Sequence, residues 1–146
     1  MPRPKEPSLL APDDIRLLTQ IGFLAAGQAD VPRAERIFGA LAHVRPDRAF
    51  SHVGPAMALL NAGRAAEAAQ QLMRALPQLA PGEDADTASA LCALALQMEG
   101  RTSESTRLLR ELLHNAPSGA DNDGLRLARR MLGEPQAPAS PPPLSP

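Results

Sequence analysis

The chain has 146 residues, of which 44% are hydrophobic and 21% charged, with a formal net charge of −1, one cysteine and three aromatic side chains, all phenylalanine. A single small domain of this size buries enough surface to fold without a metal or disulfide framework, and one cysteine closes no internal bridge. Near-neutral charge with no Lys/Arg block excludes a nucleic-acid or anionic-membrane surface, and no apolar run reaches the roughly 18 residues of a membrane span.

The N-terminus, Met1-Pro-Arg-Pro-Lys-Glu-Pro, lacks the apolar stretch of a secretory signal, so the expected location is cytoplasmic. Val, Ile and Thr total only 10 residues while Ala and Leu abound, which predicts an all-α protein. Ten of the 16 prolines, Pro12 among them, fall in residues 1–14 and 134–146, which are expected to be disordered tails. Apolar residues at helical spacing then predict six helices in chain order. Their stripes are Leu18, Ile21, Gly22 and Ala25; Ala34, Ile37, Phe38 and Leu41; Ala49, Val53, Ala56, Met57 and Leu60. Three more follow: Ala68, Ala69, Leu72, Ala75 and Leu76; Ala88, Leu91, Cys92 and Ala95; Leu108, Leu109, Leu112 and Leu113. Pro55 is expected to kink or delay the start of the third helix. Asp121, Asn122 and Asp123, arginines at 126, 129 and 130, then Gly133 and Pro135 write a seventh, capping helix over 120–133.

The helices pair, and the pairs repeat. Small residues recur at Gly22, Ala56 and Ala93, and again at Ala34, Ala68 and Ser105; Phe38, Leu72 and Leu109 follow, and Pro46, Pro81 and Pro117 close the units. This pattern resembles the tetratricopeptide repeat, most closely at Ile21-Gly22, Ala34-x3-Phe38 and Pro46. The resemblance implies a helical solenoid of three divergent helix-turn-helix units spanning 15–119, divided as 15–48, 49–82 and 86–119, with three extra residues before the third. The competing arrangement is an ordinary helix bundle whose Ala-rich stripes coincide.

No catalytic motif is present: the phosphate-loop, zincin, nucleophile-elbow and dinucleotide fingerprints are all missing, so no enzyme, cofactor or metal site is expected. His43 and His114 suit helix C-termini, and His52 stands alone without ligand spacing. Cys92, flanked by Leu91, Ala93 and Leu94, reads as a packed thiol rather than a reactive one. Glu83, Asp84 and Asp86 complement a helix start.

In the tetratricopeptide family the first helix of each unit lines the concave face. Carried over, those positions are Arg16, Thr19, Phe23 and Ala26; Phe50, Val53, Met57, Leu60 and Asn61; Thr87, Ala90, Leu94, Gln97 and Met98. Thr19, Val53 and Ala90 stand where the family's carboxylate-clamp members carry basic or amide side chains, which implies no clamp. The candidate partner-binding groove is therefore Phe23, Phe50, Val53, Met57, Leu60, Ala90, Leu94 and Met98, an apolar trough able to accept the apolar face of a helix. Alternatively, Phe50, Met57 and Leu60 are core residues covered by residues 121–132 or by a homodimer formed through the groove.

The segments Ile21 to Gly27, Arg33 to Leu41 with Val44-Arg45-Pro46, and Ala58 to Arg64 are similar to the small tetratricopeptide chaperones of bacterial type III secretion. That resemblance implies a binding protein that keeps a small helical export substrate monomeric, sometimes beside a second small co-chaperone. The alternative function is a scaffold or regulatory subunit of a larger assembly.

Overall fold

The computed structural model describes residues 11–46 and 48–134; the proposed tails outside 11–134 lie beyond the described residues. These residues are all-helical: α1 (Pro12–Gly27), α2 (Val31–Val44), α3 (Phe50–Asn61), α4 (Ala65–Ala75), α5 (Glu83–Met98), α6 (Thr102–Asn115) and α7 (Asp123–Met131), with a 3-10 turn at Leu76–Gln78. Three of the sequence-based boundaries are corrected. Pro12 opens α1 rather than lying in a tail, since proline at the first helical position has no N–H to lose, and the Ala11 N–H is taken by Asp14 Oδ2 at 3.0 Å. Helix α5 begins at Glu83, so the three residues expected to precede the third unit lie in its first turn. The last helix is shorter than 120–133, because Asn122 caps it by accepting the Leu125 N–H at 2.9 Å.

Pro55 neither delays nor breaks α3, which begins five residues before it at Phe50. Gly54 and Pro55 are both poor helix formers, so local propensity does not hold this helix. Seven of its twelve residues are buried, and that packing outweighs the lost backbone hydrogen bond.

One local device recurs four times. Ala29, Gly63, Gly100 and Gly133 each adopt positive φ just past α1, α3, α5 and α7. The following N–H reaches back five residues: Asp30 to Ala25, Arg64 to Leu59, Arg101 to Leu96 and Glu134 to Arg129, at 2.8–2.9 Å. These are Schellman turns, which satisfy the orphan carbonyls and aim the chain into the next element. After two of them an arginine at the N-cap pairs with a glutamate three residues on, Arg64 with Glu67 and Arg101 with Glu104; Asp30 and Arg33 form the inverse pair.

The four turns set a common register. Each odd helix packs on its own following even helix where it has one, and on the next odd helix; no two even helices touch. α7 packs only on α5 and α6, extending the series at its end. The two series of small residues are all buried. Where Gly22, Ala56 and Ala93 stand, α7 carries Arg126, bonded to Asp121 at 2.9 Å, so its corresponding face is polar.

The larger core cluster centres on Phe38, Leu41, Leu59 and Leu72, and a smaller one joins Ala93, Leu109 and Ala128. Phe38 is fully buried, with Phe23 edge-on at 4.9 Å and 70°. Ser105 fills its small position while donating its hydroxyl to the Ala93 carbonyl at 2.7 Å, tying α6 to α5.

Candidate functional site

The common register aligns Phe23 of α1, Met57 of α3, Leu94 of α5 and Leu127 of α7 in one row. All four are half-buried. Phe23 and Met57 pack on the main core while keeping an open side, as do Phe50 and Leu60. Met98, one turn beyond Leu94, is 53% exposed. Six of the eight candidate groove residues therefore present surface.

Val53 and Ala90 do not. Val53 is 6% exposed and Ala90 fully buried, so neither side chain can meet a partner here. The reason is the close approach of successive odd helices. A side chain on Gly124 of α7 would come within 2.5 Å of the Asp86 and Thr87 backbone, one turn before Ala90. Ala26 is also buried, and Asn61 is engaged: its Nδ2 donates to the Ala26 carbonyl at 2.9 Å, joining the ends of α3 and α1. Thr19 donates its hydroxyl to the Ile15 carbonyl at 2.7 Å.

At one rim, the Arg48 guanidinium sits 5.6 Å from the Phe50 ring centre and 2.8 Å from Asp84 Oδ2, linking the starts of α3 and α5. Sequence reasoning missed this pair and the contact from Asn122 Nδ2 to Asp86 Oδ2 at 3.0 Å, because it assigned the acids only to the helix dipole. α7 makes no contact with α1 or α3, so it does not cover Phe23, Met57 or Leu60.

The side chains of the row and its neighbours Phe50, Leu60 and Met98 are all apolar. No grouping of three or more His, Cys, Asp or Glu able to hold a metal exists among the described residues. Cys92 is buried with its Sγ 3.9 Å from the Ala69 carbonyl, and burial pushes its thiol up to about 11, which keeps it protonated and unreactive at neutral pH. Arg64 and Arg101 hold the carboxyls of Glu67 and Glu104 below their ordinary range through side-chain hydrogen bonds, but on the exposed surface. A cleft of about 590 Å³ lies between the start of α5 and the end of α6, lined in part by Glu83, Asp86, Leu108 and Leu112; none of the eight groove residues lines it. No helix among the described residues is long and apolar enough to cross a membrane. No family model, curated protein or solved structure matches this chain.

Proposed function

We propose that the protein is a tetratricopeptide-type solenoid acting as a binding chaperone, which holds the apolar face of an amphipathic helix in its trough. The observation that carries this reading is the half-buried row Phe23, Met57 and Leu94, with the exposed Met98 beside it. Such a row offers apolar contacts to a helix laid across it, and Met and Leu repack readily around varied side chains. The recurring Schellman turns and the stacking of successive odd helices support the solenoid reading. Similarity to the small type III secretion chaperones supplies the class of occupant, a small helical export substrate.

The test uses a fluorescein-labelled peptide designed as an amphipathic helix, read by anisotropy. The Leu94→Asp/Met98→Asp variant is expected to keep its helical dichroism and to bind at least about tenfold more weakly, because the added carboxylates must be desolvated against the apolar face. Gln70→Asp/Gln71→Asp, both exposed on α4, adds the same two charges and is the control. Arg64→Asp is unsuitable as a control because Arg64 pairs with Glu67. If the double variant folds and binds as the unsubstituted protein does, the trough is not the binding surface.

A further inference from the structure

Three exposed aliphatic side chains lie along one stripe of α1: Leu17 at 55%, Ile21 at 40% and Leu24 at 62% exposure. The sequence pattern placed Ile21 on the buried stripe; the structure turns it outward. In the register fixed by the four Schellman turns, these positions correspond to Ser51, Pro55 and Ala58 on α3, and to Ala88, Cys92 and Ala95 on α5. On α7 they correspond to Leu125 and Ala128. Every one of those counterparts is buried. Their face meets the preceding hairpin, as the contact of Cys92 with Ala69 of α4 shows. On α1 the same face is uncovered by any described element.

We propose that a second copy of this chain covers it, α1 against α1 across a two-fold axis. The opposite end of the stack is a poorer occupant: α7 exposes Arg126, Arg130 and Asp123, with Arg126 held by Asp121 and Asp123, and seating three aliphatic side chains there would take these ions out of water. The stripe itself is self-complementary. An antiparallel crossing at Ile21 sets Leu17 of one copy against Leu24 of the other and Ile21 beside its own mate. Asp13 and Asp14 then fall opposite Gln28, so no like charges meet. Such a contact is isologous and closed, giving a dimer rather than a filament. The chain's own first ten residues are a poor match, since their large apolar members are Met1, Leu9 and Leu10. The two leucines adjoin Ala11, roughly 20 Å of helix axis from Leu24. Three principal side chains per copy make a small interface, so dissociation in the micromolar range is expected.

The test is sedimentation equilibrium of the full chain alone, across a concentration series into the millimolar range. The unsubstituted protein is expected to pass from monomer to dimer. Ile21→Glu is expected to remain a monomer with unchanged helical dichroism, whereas Leu94→Asp/Met98→Asp still dimerises, separating this edge from the trough. Ile21→Cys is expected to form a disulfide between copies under mild oxidation, while Gln70→Cys does not; the buried Cys92 stays silent. A monomer at every concentration overturns the proposal, as does an Ile21→Glu dimer of unchanged affinity. Equal cross-linking of Ile21→Cys and Gln70→Cys also overturns it, and this arm holds even if Ile21→Glu fails to fold.

Discussion

The ring of Phe38 occupies the space that a side chain on Gly54 would need. A Cβ built at Gly54 overlaps the ring's Cε2, Cζ and Cδ2 atoms, and one at Gly22 comes within 2.8 Å of Cζ. A phenylalanine of the second helix is thus held between glycines of the first and third, which couples two successive helix pairs through one side chain. Because the ring is fully buried it has little room to retreat. Gly54→Ala is therefore expected to destabilise by about 1–3 kcal/mol despite its gain in helix propensity. Gly22→Ala, with the longer approach, should cost less. Urea denaturation of both variants checks the order, and an unchanged midpoint for Gly54→Ala would show that Phe38 can move aside.

The four Schellman turns give an expectation of opposite signs. Ala29 has φ of 58° where the other three turns use glycine. An L side chain in this region is strained by roughly 1–2 kcal/mol, more than the added chain entropy of glycine costs. Ala29→Gly is expected to stabilise by about 0.5–1 kcal/mol, and Gly100→Ala to destabilise by about 1 kcal/mol. Thermal melts of the two variants moving the same way would contradict this account.

Much of this architecture is legible in the sequence because it depends on side-chain volume. Gly22, Ala56 and Ala93, like Ala34, Ala68 and Ser105, are small where helices meet, and a periodic pattern exposes them. Phe38, Leu72 and Leu109 are buried where the pattern placed them. Proline misled the reading at Pro12 and Pro55, since its local penalty vanishes at a helix start and is outweighed by tertiary burial inside α3. The trough was only partly readable. The tetratricopeptide resemblance assigns Val53 and Ala90 to the concave face, but their burial depends on how closely the next odd helix approaches. Gly124 marks that approach on α7, yet its meaning emerges only once α7 is known to pack on α5.

Cys92 makes stability depend on alkaline pH. Burial raises its thiol from 9.0 to about 11, outweighing the opposite pull of Arg101. The folded state thus retains a proton that the unfolded chain releases. The associated stabilisation is fully present below pH 9 and is lost as pH rises toward 11, by about 2–3 kcal/mol in all. Cys92→Ala is expected to flatten this part of the stability profile. Ellman's reagent should label the native thiol slowly at pH 8 and rapidly in urea; fast native labelling would mean that the site opens locally.

Asn61 closes the contact between the ends of two odd helices. Its amide donates to the carbonyl of Ala26 at 2.9 Å, within the last turn of α1, at the negative end of the helix dipole. Asn61→Asp changes one functional group and reverses the interaction. The donor is lost, and a carboxylate is held beside the negative end of a helix. The lost hydrogen bond costs about 0.5–1.5 kcal/mol and the unfavourable dipole contact up to about 1 kcal/mol, so the combined loss is expected near 1–2 kcal/mol at neutral pH. Asn61→Ala, which removes the donor without adding charge, should lose only the first part. Lowering the pH through the carboxylate range should recover part of the Asp variant's deficit relative to Ala, because a protonated carboxyl is neutral and can donate to the same carbonyl. Denaturation of the unsubstituted protein and the two variants at pH 7 and pH 4 separates the two contributions. A deficit between Asp and Ala that does not shrink at the lower pH would mean that the new side chain turns into solvent and that charge beside α1 plays no part.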